Sequence, residues 1–437
     1  MTLLVVSPDY ASHLFPLATL ATAWRDAGER VVVATGPATD ALVRGFGMER
    51  VDLRLGRGSN PGVIRAEEQP RGEDDALRGF FAATRRGPVA TLAFQARARR
   101  DDLLWDPIDT ARRVEEVVSR VHPDHVLVDH LAFSARLALR AAGVRHADVV
   151  LGHPSALVVG HDEVYGLPPS WPAAMRPPEE DLAGLRTLCE EVRDRFTADW
   201  NTALTTLDPG APASPDAFAE TGDVLLLNYP GELHEPGRTG RLGPHAFLGS
   251  AVREEPPDSE VERWLASSEA PVVYVSLGSF LSVRSDVLAR VAAALRDLDV
   301  RVALATGSTA PADLGPLPPH WLVRPVLPQV TLLRAARLAV THGGNNSVTE
   351  ALTAGVPLLV LPLSTDQFAG AAALERTGLG LVRDPNVAPP EELREAVLGL
   401  LTPDAGRDAA LARLAHDLTT RPGPQRARAA LLDGIPA

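Results

Sequence analysis

THGGNNSVTEALTAGVPLLVLPLSTDQ, residues 341–367, packs a glycine- and asparagine-rich turn, a helix start and a buried strand into one short segment. The run just before it, 338–340, is apolar and reads as a strand that ends in the turn. Gly343, Gly344, Asn345, Asn346 and Ser347 then supply turn residues and helix caps, so a helix is expected from about Asn346. Its exposed N–H groups and positive dipole end form an anion site. The missing side chain at Gly344 lets a phosphate come close to the backbone. A further strand at 358–361 delivers Asp366 and Gln367 to the same edge. In an open parallel sheet ligands bind beyond the carboxyl ends of the strands, so both polar clusters face one crevice.

The rest of the chain has room for two such sheets. At 437 residues it exceeds one ordinary core, and two domains of roughly 200 residues each are expected. The opening LLVVSPDYASHLFPLATLATAW (3–24) is a strand, a polar turn and a helix; the same order returns at 272–276, 277–279 and 286–298. Strands are expected at 31–34, 125–128, 147–151 and 224–227 in the first half. In the second they are expected at 300–305, 321–324, 338–340, 358–361 and 379–382. Alternation with helical stretches makes this α/β, a pair of Rossmann-like parallel sheets. The expected division is 1–235, a linker at 236–257 rich in Gly, Pro and charge, 258–402, and a helical segment at 403–437. Prolines crowd 168–178, expected to be a loop over a cleft.

Composition removes several classes of function. A formal charge of -13 argues against nucleic-acid partners, which need a basic face. All 43 basic residues are Arg, and without Lys there is no Schiff-base chemistry, Walker-type loop or kinase-type ATP site. One cysteine, Cys189, cannot close an internal disulfide, which favours a cytoplasmic setting. The N-terminal run reads as a strand rather than a signal peptide, and no stretch approaches the ~20 apolar residues of a membrane span. Gly56-x-Gly58 and Gly378-x-Gly380 lack the strand-before, helix-after context of a dinucleotide fingerprint. The metal-binding pattern Asp297-Leu298-Asp299 falls on the wrong edge of its sheet, so no metal site is expected.

Segment 341–367 resembles the donor-binding signature of family 1 glycosyltransferases. In that family a Pro-Gln pair precedes a His-x-Gly-x-Asn-Ser-x-x-Glu run that an Asp-Gln pair closes. Here these are Pro328-Gln329, His342, Gly344, Asn346, Ser347, Glu350 and Asp366-Gln367. The resemblance, to bacterial natural-product members above all, implies the GT-B fold: two Rossmann-like domains facing a deep cleft, with the C-terminal segment crossing back to the first. It also implies a UDP- or dTDP-sugar as co-substrate, no cofactor, and a small apolar acceptor. His342, the Gly344 backbone, Asn346, Ser347 and Ser279 would meet the diphosphate, Glu350 the ribose, Gln329 the base or ribose edge, and Asp366 with Gln367 the sugar. His13 is the expected general base, because the family carries its catalytic His on this loop, and Asp129 at the end of strand 126–128 would orient it.

Three positions depart from the family pattern. Val326 stands where many members place a base-stacking Trp, a contact worth ~1–3 kcal/mol in nucleic-acid complexes; Asn345 replaces the Trp of plant members, and Ser12 a common Gly. Ordinary structural roles exist beside the functional ones: a capping box for Ser347 and Glu350, a helix cap for Asp129, core or loop histidines for His342 and His13. The acceptor wall is expected from the first half, from Phe80, Phe81, Phe94, His153, Tyr165 and Trp171. The expected reaction is inverting, metal-independent transfer to a hydroxyl by a monomer or homodimer. A GT-B sugar-nucleotide epimerase and a non-catalytic nucleotide-sugar helper are the alternatives.

Overall fold

The computed structural model describes residues 1–62 and 73–434. Two parallel sheets carry the chain. The first has seven strands in the order β3-β2-β1-β4-β5-β6-β7. They are β1 (Thr2–Val6), β2 (Arg30–Thr35), β3 (Glu49–Asp52), β4 (His125–Asp129), β5 (Ala147–Val150), β6 (Val224–Leu227) and β7 (His245–Phe247). The second has six, in the order β10-β9-β8-β11-β12-β13. They are β8 (Val272–Ser276), β9 (Arg301–Ala305), β10 (Leu322–Arg324), β11 (Ala336–Thr341), β12 (Leu358–Val360) and β13 (Gly380–Val382).

The central strands are apolar on both faces because helices cover both. Leu3 and Val5 of β1 pack with Leu14, Leu17 and Trp24 of helix Ala11–Asp26. Leu4 and Val6, one residue out of phase, pack with Val114, Val117 and Val121 of helix Pro107–Val121. In the second sheet Val273 and Val275 of β8 join Leu288 and Val291 of helix Ser285–Leu295, while Tyr274 faces Val348 and Leu352 of helix Asn345–Thr353. Burying each such side chain is worth about 1.5–3 kcal/mol. Trp321 is core, 7% exposed.

Two expectations about organisation change. The 236–257 segment is not all linker, since His245–Phe247 pairs with β6 and extends the first sheet. The C-terminal segment divides at Pro422. Leu411, Leu414 and Leu418 of helix Ala405–Thr420 pack with the second sheet's helix Asn345–Thr353, whereas Ala427 and Ala430 of helix Gly423–Leu432 pack on the first sheet's Leu14 and Leu17. Asp417 with Arg426, 2.6 Å apart, braces the bend.

Register places the loops that matter. Val6 pairs with Val128, so the turn after β1 and Asp129 of β4 lie side by side. Ser276 pairs with Thr341, and Thr341 with Val360, which lines up the ends of β8, β11 and β12. Both sets sit at carboxyl ends, at the points where strand order reverses.

Candidate active site

Between these edges lies a cavity of about 680 Å³ lined by both halves. His13 comes from the first turn of helix Ala11–Asp26, not from a loop. Its Nδ1 is 2.7 Å from Asp129 Oδ2. A carboxylate only accepts, so Nδ1 carries the proton and Nε2 is left as the basic nitrogen. Asp129 is 1% exposed and its other oxygen accepts from the Leu131 N–H at 2.8 Å. Turn-capping and histidine-orienting roles thus coexist on one carboxylate. Burial works against the charged imidazolium, but the charge and hydrogen bond of Asp129 and the charge of Asp366 outweigh it, so the His13 pKa is raised.

Pro16 sits inside that helix. Lacking an N–H, it leaves the Ser12 carbonyl without its helical partner, and Asn346 Nδ2 of the second half donates to that carbonyl at 3.0 Å. The neighbouring Asn345 donates to the Leu151 and Asn228 carbonyls, both at 2.8 Å, beyond the ends of β5 and β6. Asp366 accepts from the His153 N–H across the cleft and from Thr365 Oγ1 at 2.8 Å. The turn expected to hold the donor therefore also fastens the two halves together.

Helix Asn345–Thr353 begins one residue earlier than expected. Gly343 is left-handed, φ 85, and a Cβ there would lie 2.8 Å from Val360 Cγ1; a Cβ on Gly344 would lie 2.5 Å from His342 Nε2. His342 fills the space between Gly278 and Gly344, and burial pulls its pKa down to about 4, which keeps it neutral near pH 7. Ser279, Gln329, His342, Gly344, Asn346, Ser347, Asp366 and Gln367 all line the cavity. Gln367 is already committed: its Oε1 accepts from the Leu363 and Ser364 N–H groups at 2.9 and 3.1 Å. Glu350 is not on the cavity surface. Its carboxylate is 3% exposed and held by Arg253 at 2.7 Å and Gln329 at 2.5 Å. Burial raises its pKa against the opposing pull of Arg253 and Gln329.

Other expected positions divide. Phe80, Phe94 and Tyr165 line the cavity. Phe81 is turned inward and 7% exposed. His153 is outside the lining: its Nδ1 accepts from the Ser155 N–H at 3.1 Å and its ring meets Tyr229. Trp171 packs on Phe368, ring centroids 5.1 Å apart, because the 168–178 loop crosses to the second half. Val326 is 62% exposed and is not among the residues that line the cavity. Asp297 pairs with Arg394 at 3.1 Å, before the start of β9 and on the opposite edge. Sequence reading missed Tyr10, Phe280, Gln95, Arg99 and Arg253, all of which line the cavity. Arg253 left only one sequence signal, a charged residue in a segment without periodicity.

Residues 244–423 match the family model described as UDP-glucoronosyl and UDP-glucosyl transferase. The chain is 31% identical over 304 residues to the NDP-glycosyltransferase YjiC of Bacillus licheniformis, covering 68% of this chain and 70% of that protein. It is 26% identical to the 10-deoxymethynolide desosaminyltransferase of Streptomyces venezuelae, covering 96% and 92%. Matches to two other Bacillus relatives span 44% and 38% of those proteins' lengths. Among solved structures, the glycosyltransferase VinC in complex with DTDP superposes with a TM-score of 0.67 at 21% identity, covering 100% of this chain and 99% of that one. The architecture is that of the GT-B fold.

Proposed function

Because the chain belongs to the UDP-glucoronosyl and UDP-glucosyl transferase family, with relatives among bacterial natural-product glycosyltransferases, we propose that it moves a sugar from a UDP- or dTDP-sugar to a hydroxyl of a small apolar acceptor, with inversion and without a metal. One observation carries this reading: the His13–Asp129 pair and the Asn346–Ser347 turn line one cavity from opposite halves of the chain. The acceptor hydroxyl gives its proton to His13 Nε2 as its oxygen bonds to the anomeric carbon. The bond from that carbon to the diphosphate oxygen breaks, and the nucleoside diphosphate leaves from the opposite face. Asp129 stabilises the imidazolium so formed. N–H groups and hydroxyls at the Gly344–Ser347 turn and Ser279, fixed in place beforehand, meet the growing negative charge. Phe80, Phe94 and Tyr165 give the acceptor an apolar wall. Val326 offers the base no ring to stack on, so both UDP and dTDP donors stay in the reading. The free, buried Cys189 suits a cytoplasmic enzyme.

Thermal-shift titration with UDP, dTDP and their glucose derivatives, followed by turnover with a panel of phenols and macrolactones, tests it. Donor-dependent glycosylation is the expected result. Isomerisation of the donor with no acceptor present, or binding without turnover across the panel, would replace it with the epimerase or the helper reading.

A further inference from the structure

The expected donor contacts contain no cation. Ser279, Asn346, Ser347 and the backbone turn are neutral, His342 is held neutral by burial, and the chain has no Lys. Yet the leaving diphosphate gains negative charge, and dipoles alone carry less than a guanidinium at close range. Among the described residues the arginines lining the cavity are Arg99 and Arg253. Arg99 belongs to the acceptor wall, its guanidinium 4.4 Å from the Tyr165 ring centroid.

Arg253 stands on the donor side. Its Nη1 donates to Glu350 Oε1 at 2.7 Å and its Nη2 to Glu255 Oε1 at 3.0 Å. Its guanidinium lies 5.0 Å from the Phe15 ring centroid, on the helix that carries His13. Glu350 is bonded to Gln329, and Gln329 Oε1 accepts from Ser347 Oγ at 3.3 Å, so a short hydrogen-bonded chain joins Arg253 to the first turn of helix Asn345–Thr353. Glu255 is itself fixed, its Oε2 accepting from the Thr331 N–H at 2.9 Å. Clamped by two carboxylates and a ring, Arg253 is 20% exposed and spends two of its five N–H donors. We propose that Arg253 is the diphosphate-binding cation of the donor site, aimed in advance by Glu350, Glu255 and Phe15. It rests on the nucleotide-sugar reading above.

The inference separates from a purely structural role because loss of a brace around Glu350 would loosen the whole donor site and weaken nucleoside and diphosphate alike, while loss of a phosphate contact weakens the diphosphate alone. Calorimetric titration of UDP and dTDP, each beside uridine and thymidine, into wild type and Arg253→Gln makes the comparison. The expected result is a loss of about tenfold or more for the diphosphates, with nucleoside affinity changed by less than ~threefold, within one weak contact. Arg253→Lys should recover part of the loss, as a point charge without the fork. Equal losses for nucleoside and diphosphate, or no loss for either, overturn it. Should Arg253→Gln fail to fold with Glu350 left unpaired, Arg253→Gln/Glu350→Gln against Glu350→Gln gives the same comparison without the buried charge. A wild type that binds neither nucleoside nor diphosphate overturns the donor reading itself; a wild type that binds both but meets either contrary result overturns only the role of Arg253.

Discussion

His13 and Asp129 make the sharpest residue-level statement, since a 2.7 Å contact to a buried carboxylate raises the histidine's pKa. Activity that needs neutral His13 rises only as pH passes that raised value. Asp129→Asn removes the charge, so the acid limb of the kcat/KM profile should move to lower pH while kcat/KM at its plateau falls about 10²–10⁴-fold. An unmoved limb would show that His13 is not the titrating base. His342 titrates the other way. Its folded pKa is depressed to about 4 from 6.5, so below pH 6.5 the unfolded chain takes up a proton that the folded one refuses, and stability is lost until pH reaches about 4. His342→Asn should therefore flatten the fall in melting temperature between pH 6.5 and 4, measured beside wild type. Not every polar position could be assigned from sequence. That His13 and Asp129 would lie close together was legible because the turn after β1 and the end of β4 share one sheet edge, while the role expected of His13 came from the family resemblance. His153 and Trp171 misled because aromatic content does not say which way a ring faces, and Arg253 was invisible because a linker residue carries no period.

At the scale of elements, the turn between β11 and its following helix meets the helix Ala11–Asp26 through one side chain. Asn346 satisfies the Ser12 carbonyl that Pro16 leaves open. Asn346→Ala should cost about 0.5–1.5 kcal/mol in urea unfolding. In a Pro16→Ala background the helix supplies its own N–H to Ser12, so the same change should cost less; equal costs in both backgrounds would break the link. The central strands could be read in advance because both their faces are buried apolar runs. β3 and β7 could not: Glu49–Asp52 and His245–Phe247 are short edge strands without a continuous apolar run, recognisable only once paired.

Across the whole molecule, the two halves are fastened at the cleft by Asn345, Asn346 and Asp366 and at the back by the C-terminal helices. Ala427 is fully buried against the first sheet's layer. Ala427→Glu places an unpaired charge there and should lower the melting temperature by several degrees, while calorimetric binding of UDP or dTDP by the second half persists at a temperature where both remain folded. Among the described residues, no helix is long and apolar enough to cross a membrane. The division of labour across the cleft, donor on the second half and base on the first, is most directly tested with purified His13→Ala. At a temperature where both proteins remain folded its affinity for UDP or dTDP should match wild type, and its rate of sugar transfer to an acceptor that wild type glycosylates should fall about 10²–10⁴-fold. Transfer at the wild-type rate would contradict it.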